Sequence, residues 1–239
     1  MKLISFFIFF YSASLFASEG VFHIVIDPGH GGVDLGAVRD SFIESKIVLQ
    51  ISQKVKTLLD RQKNITATLT RYDSSGLSLK KRVLFANEMK ADLFVSLHAN
   101  TSNSEYVRGM EFYFNSHKPG SPDTYEPHLT NNQTPTNIEV VEKIKKDFLF
   151  YDKTEKSLML TKAFKEKSSE QEQKSIIKRA PFYVIEHTAM PSILIELGFI
   201  SNRREAKKLT TEDYQNEMAQ LLTSAILKYK EKSDKLKAL

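Results

Sequence analysis

The sequence predicts an α/β fold in a single domain. Short runs rich in β-branched and aromatic residues alternate with segments of helical spacing from about residue 21 to residue 229. No internal repeat interrupts the alternation, and a stretch of this size suits one layered α/β unit. Of the 239 residues, 41% are hydrophobic and 26% charged, enough apolar material for a sizeable core and far from the composition of a disordered chain or a fibre.

The elements follow in order. Val21 to Ile26 is a β-branched run broken by Asp27-Pro28-Gly29-His30-Gly31-Gly32, so a strand enters a tight glycine loop. Ile47, Val48, Ile51, Val55, Leu58 and Leu59 recur at helical spacing over Ser45–Leu59. Ile65 to Thr70 reads as a strand, Leu79 to Met89 as a helix, Asp92 to Leu97 as a strand ending at His98, and Gly109 to Asn115 as a further strand. His117 to Asn137 is rich in Pro, Asn, Thr and Ser and reads as an irregular loop. Helical spacing returns from Ile138 to about Lys167, and Ser168 to Lys174 is polar. Phe182 to Glu186 and Ser192 to Leu197 read as strands, Glu205 to Leu209 and Tyr214 to Tyr229 as helices, and the Lys-rich end as frayed.

The ends and the composition bound the function. Met1-Lys2, the apolar run from Leu3 and the small residues at Ala17-Ser18 have the layout of a secretory signal peptide over 1–17. The run is shorter than the roughly 20 residues of a spanning helix, so the expectation is an exported protein, periplasmic or delivered to the cell wall, without stable membrane insertion. The expected organisation is a catalytic domain over 18–230, carrying an insertion at about 117–175, and a basic flexible tail over 231–239. The net charge of +5 suits work near an anionic polymer, but Lys and Glu are interspersed and no nucleic-acid stripe is present. The absence of cysteine excludes disulfides, thiolate metal sites and cysteine nucleophiles, so a metal must be held by His, Asp or Glu.

Four residues stand out. His30 lies in a glycine loop at a strand's C-terminal end, where α/β proteins place ligands, although a lone His there also fits a turn. Glu44 opens the next helix, where a carboxylate also complements the helix dipole. His98 ends an apolar strand and points either into the core or into a cleft. Glu196 sits in Ile193-Leu194-Ile195-Glu196-Leu197, where burying a carboxylate requires a partner, a proton or a metal; Arg71 and Arg82 are alternative ion-pair partners. Together, two His and a Glu suit a catalytic zinc with an open position, and a further carboxylate suits proton transfer.

These residues lie in blocks that carry a resemblance. Asp27-Pro28-Gly29-His30-Gly31-Gly32-x-Asp34-x-Gly36-Ala37 with Glu44, then Thr70-Arg71-x-Asp73, Leu79-x-x-Arg82, Ala86-Asn87, Ala91-Asp92-Leu93-Phe94-Val95-Ser96-Leu97-His98-Ala99-Asn100, and finally Met190-Pro191-Ser192-x-Leu194-x-Glu196-x-Gly198-Phe199-Ile200-Ser201-Asn202 with Glu205 appear in order. This arrangement resembles the zinc-dependent N-acetylmuramoyl-L-alanine amidases of the amidase_3 group, over roughly 21–115 and 176–229. The resemblance implies a mixed, mostly parallel β-sheet flanked by helices on both faces. It implies one zinc on His30, Glu44 and His98, with Glu196 as the catalytic glutamate. The implied reaction is hydrolysis of the amide joining N-acetylmuramic acid to L-alanine in peptidoglycan, in wall remodelling or daughter-cell separation. Arg71 and Arg82 match motif arginines of structural role, and Asn100 is a candidate substrate contact. Members that split septa often carry an inhibitory helix between these blocks, displaced by an activator protein. Here 117–137 does not match that helix; Glu126, His128 and Glu139 are the candidate blocking residues, and an activator acting on 117–175 is the candidate partner beside peptidoglycan. A monomer is expected. The alternative readings are a metallopeptidase acting within the stem peptide and an inactive peptidoglycan-binding relative.

Overall fold

The computed structural model describes residues 20–115 and 137–238. The expected signal peptide, the loop read at 117–137 apart from Asn137, which opens a helix, and the candidates Glu126 and His128 lie outside the described residues.

A six-stranded sheet has the order β4-β1-β5-β8-β6-β7. Strands β1 (Phe22–Pro28), β4 (Ile65–Leu69), β5 (Leu93–Asn100) and β8 (Ser192–Phe199) are mutually parallel. Strand β6 (Met110–Phe114) runs antiparallel to β8, and β7 (Ser175–Arg179) runs parallel to β6. The sheet is therefore mixed and mostly parallel. The interior strands β1, β5 and β8 are buried almost throughout, because helices cover both faces and an apolar run is what such a strand needs. A small antiparallel pair, β2 (Val38–Arg39) with β3 (Phe42–Ile43), leads into α1.

The larger core packs one face of the sheet, through Ile24, Ile26, Val95, Leu97, Ile193 and Ile195, against α1 (Glu44–Leu59), α3 (Asn137–Glu170), α5 (Arg203–Leu209) and α6 (Glu212–Lys237). The smaller core packs Val25, Phe94 and Leu194 on the opposite face against α2 (Leu79–Glu88) and α4 (Tyr183–His187). Side chains alternate between faces along a strand, so His98 and Glu196 fall on the α2/α4 face, beyond the point where those helices cover it.

Two helix starts are capped as their residues suggest: Ser78 Oγ accepts from Lys81 N on α2, and Asn202 Oδ1 accepts from Arg204 N and Glu205 N on α5. Glu205 also accepts from Gly109 N and Phe199 N, both at 2.8 Å, tying β6 to the end of β8.

The structure corrects three local readings. Phe182–Glu186 is not a strand: α4 forms over Tyr183–His187, with Ile185 N and Glu186 N bonded to Phe182 O and with Val184 and Ile185 buried. Buried Lys153 Nζ donates to the carbonyls of Ile185, Glu186 and Thr188 at 2.6–3.0 Å, holding the end of this helix against α3. The edge position in the sheet goes instead to Ser175–Arg179, which pairs with β6. The basic end is not a flexible tail, since α6 continues to Lys237. The ion pairs Lys230–Asp234, Lys235–Glu231 and Lys228–Glu166 and buried Tyr229 and Ser233 sustain it.

Candidate active site

The chain passes from β1 through α1 to β4 on one side, then crosses to β5 on the other side of β1. That change of direction opens a crevice at the carboxyl ends of β1 and β5, the usual ligand position in open α/β sheets. Here His30 follows β1, His98 lies near the end of β5, and Glu44 opens α1 beside them.

Two buried arginines shape the loop that presents His30. Arg82 forms an ion pair with Asp27 at 2.6 Å and donates to Pro28 O and His30 O. Arg71 donates to Pro28 O, Gly29 O, Ser45 O and Asp73 O. Three successive carbonyls, Pro28 to His30, are thus fixed by guanidinium groups, and Asp27 is further held by Thr70 and Ser96 hydroxyls. His30 adopts φ 59°, an uncommon conformation for a side-chain-bearing residue, and this clamp enforces it. Two glycines make room. A Cβ at Gly29 would stand 2.3 Å from the His98 ring, and one at Gly36, φ 68°, would stand 2.5 Å from Glu44 Oε2.

The result is a compact constellation. His30 Nε2 and His98 Nδ1 lie 3.1 and 3.0 Å from the same oxygen, Glu44 Oε1. Their rings meet edge to face at 4.9 Å. One ligand atom from each of the three residues falls within 4.8 Å of the others. Ala99 N donates to Glu44 Oε1 and Ala37 N to Oε2, fixing the carboxylate. His30 Nδ1 lies 2.8 Å from Asp34 Oδ2, so the carboxylate accepts a hydrogen bond from Nδ1–H and leaves Nε2 aimed inward. Burial opposes charge on His30, but Glu44 and Asp34 outweigh it and push its pKa up to about 9. Burial likewise opposes ionisation of Glu44, yet the hydrogen bonds from His30 and His98 hold its carboxyl well below the usual range.

Glu196 is the register partner of His98 across β5 and β8, next to an irregularity between His98 and Asn100. Such bulges re-aim side chains beside active sites. Glu196 Oε2 is buried and has no hydrogen-bond partner among the described residues. Burial raises its pKa to about 7; His98 opposes the shift, while Glu44 and Glu111 add to it. The ion pair with Arg71 or Arg82, the alternative weighed for Glu196, is not formed, since both arginines serve the His30 loop. Asn100 lies one strand from Glu196 and donates to Glu111 Oε2 at 3.0 Å. Glu139 stands in the first turn of α3, exposed.

The site opens into a cleft of about 490 Å³ lined by Gly31, Val33, Leu79, Val184 and both histidines. A larger groove of about 710 Å³ between α1 and α6 lies away from this chemistry, and its polar groups pair with each other, as in Gln215–Gln50 and Lys54–Asn216.

Glu111 was not singled out from sequence, although Met110-Glu111-Phe112 carries the same mark that singles out Glu196, a carboxylate within an apolar strand. Asp34 was read only as part of a motif; its role depends on the loop geometry.

A family model described as N-acetylmuramoyl-L-alanine amidase matches residues 24–228. The chain belongs to this amidase family. The N-acetylmuramoyl-L-alanine amidase AmiC of Escherichia coli O6:H1 is 32% identical over 220 residues, covering 86% of this chain and 52% of that protein. The chain thus spans about half the length of that relative. A putative N-acetylmuramoyl-L-alanine amidase of Buchnera aphidicola subsp. Schizaphis graminum is 35% identical over 222 residues, 86% of this chain and 95% of that one. The CwlD amidase of Clostridioides difficile, solved in complex with the GerS lipoprotein, superposes with a TM-score of 0.69 at 26% identity, covering 87% of this chain and 98% of that one. The amidase family accounts for the mixed sheet and for both motif-rich ends of the chain, since the match runs from β1 into α6.

Proposed function

We propose that this amidase is zinc-dependent and hydrolyses the amide between the lactyl group of N-acetylmuramic acid and the L-alanine of the stem peptide in peptidoglycan. The observation that carries the reading is the convergence of His30 Nε2 and His98 Nδ1 on Glu44 Oε1, with the buried Oε2 of Glu196 on the adjacent strand. Two imidazole nitrogens and a carboxylate oxygen form a donor set that fits zinc, and Asp34 behind His30 supplies the outer carboxylate common to such sites.

His30, Glu44 and His98 would hold the ion, which when bound supplies Lewis-acid polarisation of the carbonyl and lowers the pKa of a water. Glu196 takes the proton from the attacking water and passes it to the leaving nitrogen of the alanine. A carboxylate whose pKa is lifted to about 7 by burial suits both halves of that transfer. Peptidoglycan binding without turnover has no use for Glu196, which weighs against the inactive relative.

The wider setting is part of the same proposal. Residues 1–17 serve as a signal peptide, and the mature enzyme works outside the cytoplasm, in the periplasm or at the wall, in remodelling or cell separation. Among the described residues no helix is long and apolar enough to cross a membrane. The 117–175 region is the place where an activator protein would act; that such an amidase can have a protein partner is supported by CwlD, solved with the GerS lipoprotein. The enzyme acts as a monomer.

The test is Glu196→Gln, which keeps shape and removes the base. Turnover of muropeptides falls by about 10²–10⁴-fold, with zinc content and folding unchanged. Loss of the metal would make Glu196 a ligand instead, and normal turnover would remove it from the chemistry.

A further inference from the structure

The sheet face that carries Glu196 continues past it toward the edge. His98 on β5, Glu196 on β8 and Glu111 on β6 are register partners in one row. In the next row Tyr113 on β6 stands beside Lys178 on β7. Glu111 is buried and receives three donors: Asn100 Nδ2 at 3.0 Å, Tyr113 Oη at 2.5 Å and Lys178 Nζ at 2.6 Å. Its carboxylate is therefore occupied, and its work is to orient the groups around it. Lys178 differs. Its side chain is 40% exposed, and an ammonium has three protons, of which Glu111 uses one and the Tyr113 oxygen at 3.4 Å takes a weaker contact.

An edge-strand lysine also discourages pairing with another sheet, whether it points outward or inward, a role that leaves its remaining ammonium protons free to bind. Lys178 folds inward, 5.5 Å above the Tyr113 ring, to reach Glu111 one strand from Glu196.

The direction of the reaction decides what comes near it. If Glu196 delivers a proton to the leaving nitrogen, that nitrogen lies at Glu196 and the lactyl carbonyl lies on the side of His30 and His98. The peptide half then continues away from the histidines, over β6 toward β7. Strands lie about 4.8 Å apart and one peptide residue spans about 3.5 Å, so a group one residue beyond the alanine falls near the Lys178 ammonium.

We propose that Lys178, oriented by Glu111 and Tyr113, binds a free carboxylate on the stem-peptide residue that follows the alanine. The proposal rests on the amidase reading for the direction of the substrate, and it makes Lys178 a specificity-determining residue.

The test reads binding without turnover. L-Ala-D-Glu with its γ-carboxyl capped as a methylamide, and the α-amide of the same capped compound, are titrated by NMR into the zinc-loaded full chain. The free acid binds about tenfold tighter than the amide, the size expected when one charge-assisted hydrogen bond is lost. Lys178→Gln brings the acid down to the affinity of the amide, and Lys178→Arg restores part of the difference. Equal binding of acid and amide by the unaltered protein overturns the proposal, and needs no variant to fold. Discrimination that survives in a folded Lys178→Gln also overturns it. Hydrolysis of muropeptides is scored separately: discrimination in binding without cleavage would keep the subsite and reject the reaction.

Discussion

His30 shows how much a single residue owes to its surroundings. The glycine loop and two arginines hold its backbone at positive φ, Asp34 takes one ring nitrogen, and Glu44 faces the other. In the metal-free protein Glu44 and Asp34 outweigh burial and lift its pKa to about 9. A raised folded-state pKa stabilises the fold fully below the ordinary histidine value of about 6.5, and that contribution is lost as pH rises through about 9. Zinc must displace the same proton. Apparent zinc affinity, read by competition with a chromophoric chelator, should therefore rise by about tenfold per unit as pH increases toward 9. His30→Ala should lower zinc content sharply and abolish turnover. A pH-independent affinity, or a variant with full zinc and full activity, would contradict the assignment of this residue. Glu196 and, less sharply, His30 stood out from the sequence because a carboxylate in an apolar strand and an imidazole in a glycine turn are out of place; Glu44, at a helix start, and His98, at a strand end, were singled out as a set only by the motif blocks. Glu111 carried the same mark as Glu196. Lys178 and Tyr113 did not, because their meaning arises only when β6 and β7 pair.

At the scale of elements, the junction of β1 with its loop is held by polar rather than apolar contacts. Asp27 and Arg82 are both almost wholly buried and form an ion pair at 2.6 Å. Removing one partner of such a pair is far more damaging than replacing both. Arg82→Met should destabilise the protein by about 3–5 kcal/mol and take a guanidinium donor from the carbonyls of His30 and Leu77, while Pro28 O keeps Arg71. Zinc affinity should fall with it, because the His30 loop loses its anchor. Chemical denaturation with a parallel zinc titration checks both; a variant of unchanged stability would show that the clamp is dispensable. The elements misread from sequence failed for a shared reason. Phe182-Tyr183-Val184-Ile185-Glu186 has strand propensity, but Lys153 and the smaller core favour a helical turn there. Ser-Ile-Ile-Lys-Arg has a weaker pattern, yet β6 offers it a free edge. Beyond Tyr229, α6 is supported by its own Lys230–Asp234 and Lys235–Glu231 pairs and by Lys232 beside Glu166 of α3, a partner far away in sequence.

For the whole molecule, the strand order brings two motif-rich halves of the chain to one rim, and the long α3 is threaded between them through the 117–175 region. The first turns of α3, including Glu139, are exposed, whereas its later turns bury Leu160, Ala163 and Phe164 against the sheet. Replacing 118–136 by a short Gly-Ser link tests whether this region restrains the enzyme. We expect muropeptide release to stay within about twofold of the intact chain, as an accessible site requires; a large gain without any added partner would show autoinhibition through this segment. The alternation of strands and helices was readable because each element has its own hydrophobic period. The mixed sheet was not readable from periodicity, which is silent on strand direction, and followed only from the motif blocks. The most direct test of the account is mass analysis of muropeptides digested by the zinc-loaded protein. It predicts a sugar product ending in free lactyl carboxylate and an intact stem peptide with a free alanine amine, both lost on chelation. A shortened stem peptide, or no change with zinc bound, would contradict it.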